Sequence, residues 1–275
     1  HQLSHFHAKS GLISLDGEAT LGGSAPLPLS ASARLNGQLQ ERPLTLALEA
    51  SGPLASIALS AQAEQGIKGQ ASATLTPFTS QAFASAHIEL DHIDPAAWQP
   101  GAPSADLALN LDLQPKGNGL VGEFLLSNRL PGLLDRQRLP LEKLSGTLEH
   151  QGDNLQLGKL RALLSGGATL NGNGRWHKEV LTLDLQAAGI DAAKLVSSLR
   201  PSRLGGPLLA TVSAEKQTLQ ATLSEPRFTL KTEVSHSADT VTVPLLELSA
   251  SDSRLKASGE LKLNKALAFR IEGEL

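Results

Sequence analysis

The chain has no cysteine and no methionine among its 275 residues, and aromatic residues make up only 3% of it. The absence of cysteine excludes disulfide scaffolds, cysteine nucleophiles and cysteine-containing zinc sites. It also suits an oxidising compartment such as the periplasm, where a stray thiol risks forming wrong disulfides. Because the sequence begins at His1 and contains no methionine, we expect it to be a segment of a longer protein.

Long apolar runs and clustered charges are also missing. No stretch reaches the 18 or more apolar residues of a membrane-spanning helix, so we expect any leader or membrane anchor to lie outside this segment. The net charge is -3, and lysine and arginine are scattered along the chain. A nucleic-acid-binding protein usually carries a basic stripe with stacking aromatic residues, so this class is excluded.

The strongest pattern in the sequence is the alternation of apolar and polar residues with a period of two. Leucine occupies every second position from Leu107 to Leu113, and shorter alternating runs recur along the chain. A strand points such residues to one face, which leaves the other face wet. The pattern therefore predicts an all-β fold: an elongated, curled antiparallel sheet that resembles a gutter.

Short turn signals separate these runs. They include Asn36-Gly37, Lys116 to Gly119, Gly152 to Asn154 and Asn171 to Gly174. Glycine and asparagine tolerate the positive φ values that tight hairpins need, so each of these stretches is predicted to be a turn.

Two short helices are predicted near residues 94–99 and 191–199, where Asp94 and Asp191 have the position and residue type of helix N-caps. Their preceding residues, Ile93 and Ile190, are 97 positions apart. The sequence thus predicts tandem β units over residues 1–99, 100–200 and 201–275, the last one truncated, within one continuous elongated domain.

An apolar sheet face of this size has three ways to leave water. It can pack on a second sheet, close on itself, or curl incompletely into a gutter that holds an apolar ligand. Lipid acyl chains suit the third arrangement, because they bind through buried area without specific polar contacts.

The stretch from Asn128 to Leu141, together with Leu144 to Leu148, resembles the TamB family, which is related to the AsmA-like proteins. The Ile-Asp-x-Ala elements and the Leu-x-Gly-x-Gly strand starts also resemble that family, over about residues 67–275. The resemblance implies a middle periplasmic segment of a protein anchored in the inner membrane, with an outer-membrane barrel partner of the TamA type. It also implies phospholipid transport and support for the assembly of outer-membrane proteins such as autotransporters, without catalytic residues.

Other clusters indicate little chemistry. His1, His5 and His7 would share a strand face, His87 and Asp91 would share another, and His92 would lie opposite them. We expect no metal site in either cluster, no cofactor and no enzymatic activity, because no nucleophile elbow or phosphate-binding loop is present.

The alternating pattern predicts an apolar groove, and the resemblance implies that it belongs to a periplasmic bridge that carries phospholipid acyl chains between the two membranes. Nascent outer-membrane proteins are possible further partners, through pairing with exposed sheet edges. The alternative is a structural β-solenoid stalk or adhesin passenger with a closed, dry core. The residues predicted to line the groove are Leu44, Leu46, Leu48, Leu107, Leu109, Leu111, Leu113, Leu181, Leu183, Leu185, Val241 and Val243.

Overall fold

A computed structural model describes residues 1–39, 42–79, 81–98, 101–238, 240–262 and 268–274. The chain divides into two units, which are His1–Leu130 and Pro131–Leu275. The sequence-based boundaries at residues 99 and 200 stay a prediction.

The described residues of the first unit form nine strands and one short helix. The strands are β1 (Gln2–Ser10), β2 (Ile13–Leu21), β3 (Pro28–Leu39), β4 (Arg42–Pro53), β5 (Ile57–Gln65), β6 (Lys68–Leu75), β7 (Phe83–Ile93), β8 (Leu107–Lys116) and β9 (Gly119–Asn128). The helix α1 (Pro95–Trp98) lies between β7 and β8.

The described residues of the second unit form ten strands and two 3-10 helices. The strands are β10 (Leu141–Gln151), β11 (Asn154–Leu164), β12 (Thr169–His177), β13 (Val180–Ile190), β14 (Leu204–Val212), β15 (Gln217–Glu225), β16 (Phe228–Ser237), β17 (Thr240–Ala250), β18 (Ser253–Lys262) and β19 (Ala268–Glu274). The 3-10 helices are Leu134–Arg136, before β10, and Ala192–Lys194, between β13 and β14.

The predicted all-β class is confirmed. Within each unit, every strand pairs antiparallel with the strand that follows it in the chain. Antiparallel neighbours need only a tight turn between them, which explains why short turns separate strands that are consecutive in the chain.

Some predicted turns are present and others are not. Gly117-Asn118 and Gly152-Asp153 each join two strands, and Gly117 and Gly152 have φ values of 58° and 56°. The predicted turn at Asn36-Gly37 is wrong, because β3 continues through it to Leu39. The Asn36 side chain instead accepts a hydrogen bond of 3.1 Å from the Thr45 hydroxyl on the neighbouring strand.

The predicted turn at residues 171–174 is also wrong, since this stretch lies inside β12. Its glycines are explained by close approach rather than by turn geometry. A Cβ atom on Gly172 would lie 2.0 Å from the Asp184 carbonyl oxygen, and one on Gly174 would lie 2.8 Å from the Leu183 Cδ2 atom. Glycine within a strand often marks such a site, where a neighbouring chain comes too near for any side chain.

The two predicted helices are present but short. Helix α1 spans Pro95–Trp98, and the 3-10 helix Ala192–Lys194 covers only the start of the predicted 191–199. Gln99, at the end of the first prediction, lies outside the described residues.

Asp94 and Asp191 perform the same two tasks at positions 97 residues apart. Each carboxylate accepts a hydrogen bond from the amide two residues later, at 3.2 Å for Ala96 and 3.1 Å for Ala193. Each also accepts one from the amide eleven residues later, at 3.0 Å for Ala105 and 3.1 Å for Ser202. The capping aspartates therefore fasten the whole loop, in addition to starting the helix.

The same spacing links a second pair of loop contacts. Asn128 Oδ1 accepts a hydrogen bond of 3.1 Å from the Asp106 amide, and Glu225 Oε2 accepts one of 3.0 Å from the Arg203 amide. The two loops are thus built on one plan, with polar side chains satisfying backbone amides that form no strand pairing.

Candidate functional site

The strand register defines one apolar face in the first unit. Starting from Leu48, successive pairings run through Ala61, Ala71 and Ile88 to Leu111. Directly paired residues point to the same side of a sheet, so β4 and β8 present their leucines together. All the predicted lining residues of this unit lie on that side: Leu44, Leu46, Leu48, Leu107, Leu109, Leu111 and Leu113.

The second unit has an equivalent face. Leu181 pairs with Val212, and the same row continues through Gln217 and His236 to Val241. The predicted lining residues of this unit, Leu181, Leu183, Leu185, Val241 and Val243, alternate along β13 and β17 and so share this side. We call these two surfaces the apolar faces of the units.

The apolar faces are only partly buried. Of the predicted lining residues only Leu107 is buried, at 8% exposure, and the others are half-buried. Among the described residues no side chain falls below 2% exposure. In each unit the described strands form one sheet, and the strands in contact are neighbours in the chain. Most leucines of the apolar faces therefore remain partly accessible.

A cluster of buried residues in the second unit lies at one end of its apolar face. It is formed by Ala168, Ala187, Ile190, Leu204, Ala221 and Leu223. Leu195, from the loop between β13 and β14, packs against this cluster. The loop therefore covers that end of the face and leaves Leu181 and Leu183 half-buried beyond it.

The opposite face of the first unit is polar. It carries a depression of about 700 Å³ that is lined by short hydroxyl side chains such as Ser30, Ser51 and Ser60 and flanked by Glu18 and Glu49. Hydroxyl and carboxylate groups would have to give up water to an acyl chain, so this face does not suit apolar ligands.

Histidine and carboxylate groups on the polar face form short cross-strand networks. His87 lies 2.7 Å from Asp112 and 3.2 Å from Glu89, and Gln70 donates a 2.5 Å hydrogen bond to Glu89. The hydrogen bonds to Asp112 and then Glu89 raise the pKa of His87. The Gln70 and His87 donors lower the pKa of Glu89.

The expected position of His92 is wrong. A bulge between Leu90 and Ile93, at which His92 has a φ of 54°, brings this side chain to within 3.0 Å of Asp106 and 3.9 Å of Asp91. An unpaired residue of this kind breaks the alternation on which the prediction rested.

Sequence reasoning also missed Arg129, which lies 2.6 Å from Asp91 and lowers the pKa of that carboxyl. Strand periodicity could not have placed it, because Arg129 follows the last residue of β9. In the part of the chain that the structure describes, no group of three or more histidine or acidic side chains could hold a metal ion.

Three comparisons with known proteins bear on this arrangement. No curated protein and no solved structure matches the chain significantly. Over the described residues, no helix is both long and apolar enough to cross a membrane. The sequence model of the family described as TamB, N-terminal domain, matches residues 2–274. This is a transport and assembly family and not a known enzyme family. Its members act in outer-membrane assembly with an outer-membrane partner, and they are inner-membrane proteins with a periplasmic segment. Because the match covers nearly the whole sequence, the chain belongs to the TamB family.

Proposed function

We propose that the apolar faces of both units hold phospholipid acyl chains, and that the parent protein carries lipid between the inner and outer membranes along such faces. A barrel partner of the TamA type would receive the outer-membrane end of this route. The observation that carries the proposal is the partial exposure of the leucine-rich side of the sheet in each unit, as seen in the described residues.

The physical argument concerns exposed apolar area. Leu219, Leu246 and Leu255 on the apolar face of the second unit are 39%, 37% and 44% exposed. Soluble monomers rarely expose contiguous apolar patches larger than a few hundred Å², and larger patches usually mark a binding surface. An acyl chain gains about 0.8 kcal/mol for each CH₂ group that it buries, with no need for a polar partner.

The aliphatic row of the first unit also suits a ligand that moves. The row from Leu48 to Leu111 contains only aliphatic residues, so an acyl chain that slides along it meets no group requiring a hydrogen bond. In the second unit, Gly174 lies between Leu157 and Leu183, and Gly172 lies between Leu160 and Leu185, so neither glycine adds a side chain to this face.

The structural alternative, a stalk with a closed and dry core, receives less support. Such a core buries its apolar residues almost completely, whereas the leucines of the apolar faces remain half-buried or exposed. A solenoid also winds in short coils of roughly 20 to 30 residues, whereas these strands form antiparallel hairpins.

Photo-crosslinking of the parent protein in the native periplasm tests the proposal. A photoreactive amino acid would replace Leu109 or Leu183, and the matched controls would carry it at Asn110 or Asp184 on the polar face. We expect phospholipid adducts, detected by mass spectrometry, at the two leucine positions and not at the controls. If both leucine positions crosslink only to the protein's own strands, the closed-core alternative replaces the proposal.

A further inference from the structure

Three loops at one end of the strands of the second unit concentrate positive charge. They are residues 131–140 before β10, 191–203 between β13 and β14, and 226–227 between β15 and β16. Alternate connections of an antiparallel sheet emerge at the same edge, so these loops lie side by side. We call them the basic rim; its cations are Arg136, Arg138, Lys194, Arg200, Arg203 and Arg227.

The rim is held together by contacts between its loops. The Leu134 amide donates a 2.9 Å hydrogen bond to the Leu195 carbonyl oxygen. Asp135 accepts a 3.0 Å hydrogen bond from the Ser197 amide and another from the Ser197 hydroxyl. The first two loops therefore form one built surface, on which Leu134 and Leu199 are 46% and 51% exposed.

Carboxylates of the rim are occupied by neutral donors. Asp135 is bound by Ser197, Asp191 by the amides of Ala193 and Ser202, and Glu225 by the Arg203 amide. Among the described residues, no cation of the basic rim has a carboxylate oxygen within 4 Å, whereas several other lysine and arginine side chains do. Their charge is thus available to an anion from outside.

The fold itself does not require these cations. The loop of the first unit between β7 and β8 has the same capping and fastening hydrogen bonds, made by Asp94. At the positions that correspond to Lys194, Arg200 and Arg203 under the 97-residue spacing, it carries Ala97, Pro103 and Asp106. A purely structural role for the cations would demand them in both loops.

The opposite end of the second unit supplies an internal comparison. Its described turns carry Lys178 and Lys216 together with Asp153, Glu179 and Glu215, so positive charge is not in excess there. The basic rim also adjoins the apolar face, because Leu195 from the same loop packs on the buried cluster at that end. A ligand on this rim would therefore touch cations and leucines at once.

We propose that the basic rim binds the phosphate of anionic phospholipid headgroups while the acyl chains lie on the apolar face of the second unit. This inference rests on the proposed lipid function and adds a headgroup preference to it. Arginine pairs with phosphate oxygens through two parallel hydrogen bonds, which matches the five arginines of the rim. Exposed Leu134 and Leu199 would contact the glycerol and upper acyl region.

The test measures which lipid the purified chain takes up. Vesicles containing equal amounts of phosphatidylglycerol and phosphatidylcholine are incubated with the chain, and co-purified lipid is quantified by native mass spectrometry. We expect the anionic lipid to be enriched. In the double variant Arg200→Gln and Arg203→Gln, the enrichment should fall by up to about fivefold for each arginine, the ratio that corresponds to ~1 kcal/mol per cation beside anionic lipid.

The matched control is Lys178→Gln and Lys216→Gln at the opposite end, which should leave the enrichment unchanged. Uptake from pure phosphatidylcholine vesicles should be equal in all three proteins, which shows that the variants fold and retain the apolar face. Raising the salt concentration should weaken the enrichment in the unchanged chain, because exposed charges are screened. Inorganic phosphate, which has no acyl chain, should not displace bound phosphatidylglycerol.

The outcomes separate the two proposals. Lipid uptake without enrichment, enrichment that survives the double variant, or displacement by inorganic phosphate would overturn the headgroup inference and leave acyl binding intact. No uptake of either lipid would overturn both.

Discussion

At the scale of single residues, alternation decides which side chain meets which environment. Leu109 and Asn110 are neighbours in the chain, yet Leu109 pairs with Leu90 and Leu126 on one face and Asn110 pairs with Glu89 and Leu125 on the other. A shift of one residue would exchange the two faces entirely. The alternating leucines therefore help to fix the register of the strands.

His87 provides a prediction at this scale. Its hydrogen bonds to Asp112 and Glu89 raise its pKa above the ordinary value. The folded state thus favours the protonated imidazole, and this contribution to stability is fully present below the ordinary pKa of histidine. It is lost as the pH rises through the raised value. Asp112→Asn removes the largest cause, so we expect the pKa of His87 to fall, as measured by an NMR titration of its imidazole.

A control for this titration is Asp153→Asn, in a turn of the second unit, which should leave the pKa of His87 where it was. If Asp112→Asn also leaves it unchanged, the hydrogen bond of 2.7 Å between His87 and Asp112 does not exist in solution.

At the scale of elements, two devices repeat along the sheet. One is the loop fastened by an aspartate, seen at Asp94 and again at Asp191. The other is a glycine inside a strand, on the apolar side of the sheet, as at Gly69, Gly122 and Gly172. In each of these three, a Cβ atom would come within 2.4 Å of a neighbouring carbonyl oxygen.

Gly172 gives a prediction for the second device. In Gly172→Ala the new Cβ would lie 2.0 Å from the Asp184 carbonyl oxygen, so β12 and β13 must move apart. We expect the free energy of unfolding to fall by about 1–3 kcal/mol, the usual cost of overpacking. Urea denaturation followed by circular dichroism measures this change.

The matched control is Gly23→Ala, because nothing lies within 4 Å of a Cβ atom at Gly23 and its φ is not positive. This variant should change the free energy of unfolding by less than about 0.5 kcal/mol. An equal loss of stability in both variants would mean that backbone freedom, and not the close approach at Gly172, explains the glycine in β12.

At the scale of the whole molecule, accessible area distinguishes this chain from ordinary globular proteins. Its accessible surface is 17288 Å² for a mass of 28.8 kDa. A compact monomer of that mass exposes roughly 11,300 Å². The described strands of each unit form one sheet, and a sheet exposes more area than a compact fold wherever no second layer covers it. The large accessible area thus agrees with the partial exposure of the apolar faces.

The large accessible area predicts a smaller heat-capacity change of unfolding than that of a compact protein of the same length. Folding removes roughly four-fifths of the area that a compact chain of equal length would bury. We therefore expect a heat-capacity change of unfolding of about 3 kcal/mol/K, where a compact chain would give about 3.7 kcal/mol/K. Differential scanning calorimetry over a series of pH values measures it, with a compact monomer of similar mass as the reference. The full compact value would show that the apolar faces are covered in solution.

Much of the fold followed from the sequence, because its strongest signal is local. Period-two alternation in β8 and β13 depends on side-chain direction within a single strand, and hairpin turns such as Gly117-Asn118 depend on the φ values of one or two residues. The all-β class, the leucines on one face and the positions of the two capped loops could all be predicted from such local patterns.

Only the tertiary structure decided the rest, because it depends on residues far apart in the chain. The glycines of β12 and Asn36-Gly37 of β3 have the composition of turns, and only their neighbouring strands show that they lie within strands. The bulge at His92 and the position of Arg129 likewise could not be deduced from periodicity. Above all, the same alternating pattern permits a sandwich, a closed sheet or an open one. Whether anything packs across the leucines is a property of the whole arrangement, and in the described residues of each unit most of them stay half-buried or exposed.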